Sequence, residues 1–556
     1  KGHVFRTRCD TEAIVHLYEE EGARCVESLQ GMFAFAIWDQ NREELFLARD
    51  RLGIKPLYYA PTDGRLAFGS EIKAVLAAPG VPTELNFEAL LDYLTFLYVP
   101  HPKSIYRGIF KLPPAHTATL SRKGLHLREY WKLTHPVPAE HSLEQWTELF
   151  RDELQGAVRS HLMSDVPLGA FLSGGLDSSA VVAAMAQIGP KPPITNSIGF
   201  AEQPFDERPF ADKVAARFQA QHHSHTVTAD AADVVNRLAW HYDEPFADSS
   251  AVPTYYVSEL TRRNVKVALS GDGGDENMAG YRKHKLHHRE RMVRRWLSPE
   301  TRSAMFNTLA RMYPKADWLP RPLRAKSTFQ NLALSDVEAI YLSRAAYDPA
   351  IARGLLAGDV RAELRDYDPF YVIEEPYRRC ESRDAINREL YVDIKTYLVD
   401  DILTKVDRAS MAVGLEVRVP LLDHRFVEFA AGIPGHWKLR GGQGKYLFKE
   451  SVRSWLGTDI VDRPKLGFCI PLDKWLSGPL RDMVEGTVFS SDARVGAWLD
   501  TKRLAGLWEK HLRGTRSSGG LIWAVFMLEQ WARTFYAGRG TGFSSPTPTR
   551  RAVACV

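Results

Sequence analysis

The chain has 556 residues, which is too long for one ordinary hydrophobic core and predicts two or three domains. Hydrophobic residues make up 45% of it and charged residues 25%, the proportions of a soluble globular protein. The 72 basic and 68 acidic residues leave a formal charge of +4, which argues against nucleic acid or an anionic membrane as a partner. We interpret the basic run at residues 289–295 as a solvated helix face.

The termini and the cysteines bear on where the protein works. No stretch approaches the roughly 18–20 apolar residues needed to span a bilayer. The chain opens Lys-Gly-His-Val-Phe, without a signal pattern and without Met, so its true start could lie upstream. The five cysteines form no C-x-x-C pair, which predicts a reducing, cytoplasmic setting without disulfides or a zinc site.

The first 80 residues or so show short strand patterns separated by turns. Residues 32–38 and 45–48 are apolar runs with a turn signal between them. Proline and loop residues follow from 100 to 138. We therefore predict a first domain at residues 1–138.

The next part alternates strand and helix patterns. Residues 166–172, 195–200 and 265–269 read as strands, and residues 177–188 as a helix. This alternation predicts a parallel sheet with ligands at the carboxyl ends of its strands. Helical periodicity continues to about residue 535, so the second domain is placed at 139–535. Residues 536–556 are predicted to be a disordered tail.

A glycine-rich turn at residues 172–179, Leu-Ser-Gly-Gly-Leu-Asp-Ser-Ser, joins a strand to a helix. Gly174 and Gly175 let the backbone approach a phosphate, while Ser173 and Ser178 add hydroxyl donors. Asp177 would repel a bare phosphate and suits a bridging divalent cation. There is no Walker A lysine. The alternative is a plain Gly-Gly turn with Asp177 as a helix N-cap.

A second turn, Ser-Gly-Asp-Gly-Gly-Asp-Glu at residues 270–276, also follows a strand. It carries three carboxylates within five positions, and burying them unpaired would be costly. Mg²⁺ prefers such hard oxygen ligands, although a solvated acidic turn is the alternative. Two such loops at strand ends of one α/β domain together predict a site for ATP and Mg²⁺.

At this point the sequence resembles the glutamine-dependent asparagine synthetase family, over nearly the whole chain to about residue 535. The first turn is similar to the pyrophosphate loop of ATP pyrophosphatases. Further matching motifs, in the order of the family, stand at residues 9–12, 31–35, 48–59, 270–281, 406–412, 415–423 and 463–468. The resemblance implies an α/β protein. Its N-terminal part would be the remnant of an Ntn-hydrolase-type αββα glutaminase domain. A parallel-sheet ATP-pyrophosphatase (PP-loop) synthetase domain with a helical C-terminal part would follow.

The resemblance also implies an activity with ATP and Mg²⁺ as cofactors. Aspartate would attack the α-phosphorus of ATP to give β-aspartyl-AMP, and ammonia from glutamine would then displace AMP, reaching this site through an internal channel. By position, Asp177 and Asp275 would hold Mg²⁺, and Lys465 would face the developing negative charge, with Asp272 tied to adenylate formation. The nucleotide would be bound by Leu172, Ser173, Gly174, Gly175, Asp177, Ser178, Ile198, Ser270 and Gly271. Asp10 would hold the amino group of glutamine.

Three departures and one cluster qualify the resemblance. Asp272 stands where better-known members carry Glu, which puts the acceptor in doubt. Asn277-Met278 replaces the usual Leu-Phe, which we interpret as packing variation. The family nucleophile is an N-terminal cysteine, whereas this chain begins with Lys1, so we expect no glutamine hydrolysis by the chain as given. The remaining charged motif residues could form a polar network beneath the site: Asp407, Arg408, Glu416 and Arg418.

Several alternatives stay open. The acceptor could be another small carboxylate, as in the exopolysaccharide- or exosortase-associated branch. A β-lactam-forming synthetase would use an internal amine, and a non-catalytic scaffold would retain only the fold. A tRNA-thiolating enzyme fits poorly, given the near-neutral charge. We expect small-molecule substrates, no nucleic acid and no membrane as partners, and a homodimer would be unsurprising.

Overall fold

The computed structural model describes residues 2–62, 64–137, 140–200, 206–227, 231–313, 326–463, 470–514 and 518–536. The strands of these ranges are β1 Ala34–Asp39, β2 Glu44–Arg49, β3 Tyr58–Thr62, β4 Arg65–Gly69, β5 Phe110–Lys111, β6 His116–Ser121, β7 Gly124–Glu129, β8 Leu168–Phe171, β9 Ile194–Phe200, β10 Gln221–Val227, β11 Val267–Leu269, β12 Glu416–Arg418, β13 Leu439–Arg440 and β14 Gln443–Gly444.

The α-helices are α1 Asp10–Glu21, α2 Cys25–Ser28, α3 Ile72–Leu76, α4 Phe87–Phe96, α5 Leu143–His161, α6 Leu176–Ile188, α7 Arg208–Arg217, α8 Ala231–Tyr242, α9 Ala251–Arg262, α10 Gly274–Met278, α11 Arg282–Arg294, α12 Pro299–Met312, α13 Lys326–Ala333, α14 Asp336–Arg344, α15 Pro349–Leu355, α16 Gly358–Glu363, α17 Tyr371–Arg379, α18 Ala385–Lys395, α19 Thr404–Met411, α20 His424–Gly432, α21 Gly435–Lys438, α22 Tyr446–Leu456, α23 Thr458–Val461, α24 Leu472–Ser477, α25 Arg481–Val488, α26 Thr501–Leu512 and α27 Gly519–Phe535.

Two antiparallel sheets form the N-terminal part. One has the strand order β1-β2-β6-β7 and the other β4-β3-β5. Their facing side chains form a common core of Leu47, Leu57, Tyr59, Leu112 and Ala118. Helices α1 and α2 cover the outer face of the first sheet, and α3 packs against β3 and β4 of the second. This confirms the layered αββα expectation.

The second part is built on a five-stranded sheet with the order β10-β9-β8-β11-β12, in which every pair is parallel. The three strands predicted from apolar runs are β8, β9 and β11. Two further strands escaped prediction because β10 (Gln-His-His-Ser-His-Thr-Val) is a polar edge strand and β12 has only three residues. The parallel sheet is confirmed.

The central pair β8 and β11 sets the position of both glycine-rich turns. Ala170 is in register with Leu269, so the chain leaves both strands at the same edge of the sheet. The first turn then enters α6 and the second enters α10. Neighbouring parallel strands thus bring the two predicted turns together.

From residue 282 onward the described chain is almost entirely helical, which confirms the helical C-terminal part. Helix α27 is buried along nearly its whole length and packs against α8, α24, α25 and α26. Across the ranges described, no helix has both the length and the apolar character that crossing a bilayer requires. The predicted boundary at 138/139 and the tail after Tyr536 lie outside the described residues.

The two parts meet through partly buried ion pairs. Lys55 binds Asp407 at 2.9 Å, and Arg408 binds Glu71 at 3.2 Å and donates to the Ser70 carbonyl. Asp407 and Arg408 thus belong to the contact between the N-terminal part and the part built on the parallel sheet. The other two residues of the hypothesised network pair with each other, Arg418 to Glu416 at 2.7 Å. The structure therefore separates the four into two groups.

Candidate active site

A cavity of about 810 Å³ opens at the carboxyl edge of the parallel sheet. Most of the predicted site residues line it: Leu172, Ser173, Gly175, Asp177, Ser178, Ile198, Ser270, Gly271, Asp272 and Asp275. Gly174 lies within the same turn. Asp10 does not line this cavity; it is exposed at the start of α1. Lys465 lies outside the described residues.

The first turn is held open by its own hydroxyl groups. Oγ of Ser178 accepts from the Ser173 amide at 3.3 Å, and Oγ of Ser173 accepts from the Gly175 amide at 3.3 Å. Gly174 has φ +68°, and a Cβ there would lie 2.5 Å from the Ala211 amide nitrogen. Only glycine suits that backbone and that closeness to α7. The start of α6 lines the cavity and offers backbone amide groups there, as an anion cradle does.

The acidic loop presses against the start of α6. A Cβ on Gly271 would lie 2.7 Å from the amide nitrogen of Ser178, and a Cβ on Gly274 would lie 2.4 Å from Oδ1 of Asp177. These glycines therefore allow the close approach that brings the Asp177 and Asp275 carboxylates to one place.

Lys445 joins those two carboxylates. Its Nζ lies 2.5 Å from Oδ2 of Asp177 and 2.7 Å from Oδ1 of Asp275, and the residue is 6% exposed. Burial by itself would lower the pKa of Lys445, but the two carboxylates raise it above its ordinary value. The ammonium group thereby neutralises the repulsion between the predicted metal ligands.

A second lysine stands on another wall of the cavity. Lys405 binds Asp248 at 2.8 Å and donates to Oγ of Ser250 at 2.8 Å. Burial by itself would raise the pKa of Asp248, but the Lys405 ammonium outweighs it and brings that pKa to about 2. Asp272 accepts a hydrogen bond from Ser270 and lies close enough to Lys405 to raise the lysine pKa. Carboxylates and an ammonium group thus share the part of the cavity beyond the two glycine-rich turns.

Arg463 fixes the first turn from outside. Its guanidinium donates to the Gly174 carbonyl at 3.1 Å, pairs with Glu207 and lies 4.2 Å from the centre of the Phe210 ring. Arg463 is the first residue of the motif at 463–468 and the only one of them that the structure describes.

Sequence reasoning missed four residues here: Asp248, Lys405, Lys445 and Arg463. Lys445 has φ +55° just before α22, a left-handed backbone conformation that the neighbouring sequence does not predict. Lys405 directly precedes the motif at 406–412, and Arg463 opens another, so nearness to those motifs was the available signal.

Comparison with known proteins decides the family. Residues 149–533 match the family described as Asparagine synthase. The chain belongs to the asparagine synthase family. Residues 1–131 match the Glutamine amidotransferase domain.

Relatives with curated names agree with this membership. "Asparagine synthetase [glutamine-hydrolyzing] 1" of Bacillus subtilis is 31% identical over 96% of this chain and 82% of its own length. A putative asparagine synthetase of Mycobacterium tuberculosis is 32% identical over 96% and 81%. A putative asparagine synthetase of Methanocaldococcus jannaschii is 39% identical over 73% and 77%. At the level of the family, the chain is a ligase, an amide-forming, glutamine-dependent synthetase, and the family uses ATP.

Proposed function

We propose that this member of the asparagine synthase family converts aspartate to asparagine through β-aspartyl-AMP, with Mg²⁺ accompanying ATP. The observation that carries the proposal is the convergence of the two strand-end turns, with Asp177 and Asp275 sharing the ammonium group of Lys445. The donor set suits the metal, because both carboxylates supply hard oxygen ligands. A bound Mg²⁺ would neutralise charge on the pyrophosphate.

The residues of the chain would divide the reaction between them. The hydroxyls of Ser173 and Ser178 and the backbone amides at the start of α6 would hold the phosphates in line for attack. Leu172 and Ile198 would pack on the nucleoside from the buried side of the cavity. Lys445, released from part of its ion pairing, and Lys465 would offset charge as pyrophosphate leaves.

The proposed reaction has two bond-making steps. An oxygen of the acceptor carboxylate bonds to the α-phosphorus and the bond to pyrophosphate breaks. Ammonia then bonds to the acyl carbon, loses a proton, and AMP departs with the carboxylate oxygen. Asp272 accepts a hydrogen bond from Ser270 at the cavity wall and would orient the acceptor during the first step.

The test supplies the purified chain with ATP, Mg²⁺, aspartate and ammonium, so that the synthetase half is assayed by itself. Pyrophosphate and asparagine should appear in equal amounts. Asp272→Asn should lower pyrophosphate release while ATP binding persists, whereas Asp165→Asn, at an exposed position away from the cavity, should act as wild type. ATP binding without aspartate-dependent pyrophosphate would contradict aspartate as the acceptor.

One observation favours a carboxylate other than aspartate as the acceptor. Asp272 replaces the longer Glu of better-known members, and Asp248 with Lys405 places both charge signs on the wall that an acceptor would meet. Glutamate, succinate and a sugar acid should therefore be assayed beside aspartate. Pyrophosphate release with one of them alone would assign that carboxylate instead.

A further inference from the structure

The proposed ATP site does not use one largely buried ion pair of the cavity wall. Lys405, in the first turn of α19, is 8% exposed, and its Nζ lies 2.8 Å from Oδ2 of Asp248. Both residues line the cavity. Taking two charges out of water costs free energy that their mutual attraction often fails to recover. Stability alone therefore does not explain why the pair lies in this wall.

Ser250 fixes both members of the pair. Its Oγ donates to Oδ2 of Asp248 at 2.7 Å and accepts from Nζ of Lys405 at 2.8 Å. The Ser250 amide donates to Oδ1 of Asp248 at 2.9 Å, so both oxygens of that carboxylate accept hydrogen bonds. Groups that are already fixed in place lose little conformational freedom when a ligand binds them.

A neighbouring acidic residue adds no negative charge to this part of the wall. Asp401 is 4% exposed, and its Oδ1 has no hydrogen-bond partner among the residues that the structure describes. Burial and the nearby Asp248 carboxylate raise the pKa of Asp401 well above its usual value, so the carboxyl is uncharged at neutral pH. A further carboxylate near Lys405 is that of Asp272, which the proposed reaction places at the reacting end of the acceptor.

We propose that Asp248 and Lys405 recognise the acceptor as an α-amino acid. Asp248 would bind its ammonium group, and Lys405 would bind the carboxylate that does not react. The inference rests on the proposed function and narrows the acceptor to a class that contains aspartate and glutamate. A ligand with both charges can exchange partners with the ion pair, so that all four charges stay paired.

The other acceptor classes fit this wall less well. A dicarboxylate without an amine would take Lys405 and leave Asp248 without a cation, which is costly in a largely buried site. The one carboxylate of a sugar acid is its reacting group, so such a ligand brings no second anion for Lys405. Only a ligand with an ammonium group and a spare carboxylate satisfies both residues.

The experiment compares ligands that differ by one charged group. Succinate is aspartate without the amine, and β-alanine is aspartate without the carboxylate that does not react. Calorimetry measures their binding to the full chain with Mg²⁺ and α,β-methylene-ATP, which cannot release pyrophosphate. We expect aspartate to bind about a hundredfold more tightly than either analogue. A wild-type chain that binds succinate, β-alanine or glucuronate as tightly as aspartate would overturn the inference.

Variants test each charge against its own analogue. Asp248→Asn should weaken aspartate binding about tenfold or more without weakening succinate. Lys405→Met should weaken aspartate similarly without weakening β-alanine. The double variant leaves neither charge unpaired and should bind the three ligands alike. Glu244→Gln is the matched control, because it breaks a buried pair with Lys111 at 2.8 Å outside the cavity lining and should keep the preference for aspartate.

Binding and turnover separate this inference from the proposed function. Aspartate that binds with the expected preference, yet releases no pyrophosphate from ATP, would support the inference and contradict the proposed function. Failure of both aspartate and glutamate to bind would overturn the inference. Equal losses for all three ligands in each variant would also overturn it, because a merely structural ion pair predicts that result.

Discussion

Nζ of Lys445 lies 2.5 Å from Oδ2 of Asp177, although 268 residues separate the two in sequence. The same ammonium group reaches Asp275 at 2.7 Å. One cation therefore holds two carboxylates that arrive from neighbouring strands and would otherwise repel each other.

Removing that cation should destabilise the protein and make its stability depend on metal. Lys445→Met removes the ammonium group that two largely buried carboxylates share, which should lower the free energy of unfolding by about 2–4 kcal/mol. Mg²⁺ without ATP should restore part of this loss, because it would replace the missing charge. Thermal unfolding with and without Mg²⁺ measures both effects.

Lys449→Met is the matched control, one turn further along α22. Lys449 is 3.8 Å from Asp462, whose side chain is 47% exposed, so its loss should change stability by about 0.5 kcal/mol or less. Equal destabilisation by both variants, or no response of Lys445→Met to Mg²⁺, would contradict the bridging role.

Gly174→Ala should abolish tight ATP binding. Its φ of +68° disfavours alanine, and the added Cβ would lie 2.5 Å from the Ala211 amide nitrogen and 2.6 Å from the Phe210 carbonyl carbon. Calorimetric titration with ATP should show a large loss of affinity. Gly156→Ala, within α5 with no atom in contact range, should bind ATP normally and gain about 0.5–1 kcal/mol of stability.

Arg463→Met should weaken ATP binding about tenfold while leaving the fold intact. The guanidinium supports the Gly174 carbonyl from outside the cavity, and a charge-assisted bond of this kind contributes about 1.5–3 kcal/mol. Arg453→Met, on α22, removes ion pairs with Glu450 and Asp462 and should leave ATP affinity unchanged. Matching affinities for the two variants would remove Arg463 from the site.

Lys438→Met should stabilise the protein, and more so at lower pH. Lys438 is buried, and its burial lowers the pKa to about 7. Between pH ~7 and ~10 the unfolded chain binds the extra proton, so this residue makes stability rise with pH. Removing it should raise the free energy of unfolding by about 2–4 kcal/mol near pH 7 and by less above pH ~9. Urea unfolding at both pH values measures this, with exposed Lys191→Met as the unchanged control.

The sequence predicted the features that depend on residues close together in the chain. Glycine-rich sequences after apolar runs predicted the loops at 172–179 and 270–276. The alternation of strands and helices predicted that both loops lie at the same edge of a parallel sheet. Lys445 and Lys405 could not be found this way, because their partners lie more than 150 residues away. The burial of His284 and His287 on α11 could not be predicted either, because their partners Asp393 and Glu389 on α18 lie more than 100 residues away.

Asp407 and Arg408 show that a sequence motif does not by itself reveal the role of each charged residue in it. Their place in a family motif suggested a network beneath the site, yet Lys55 and Glu71, in loops of the N-terminal part, bind them. A charged motif residue can serve domain docking as readily as chemistry, and only the three-dimensional partner distinguishes the two.

The most direct measurement follows one oxygen atom. Aspartate labelled with ¹⁸O in its side-chain carboxylate is incubated with the chain, ATP, Mg²⁺ and ammonium, and the nucleotide product is analysed by mass spectrometry. Attack of the carboxylate on the α-phosphorus predicts AMP carrying one ¹⁸O atom, with asparagine formed in equal amount. Unlabelled AMP, or label in inorganic phosphate beside ADP, would contradict an acyl-adenylate at this site.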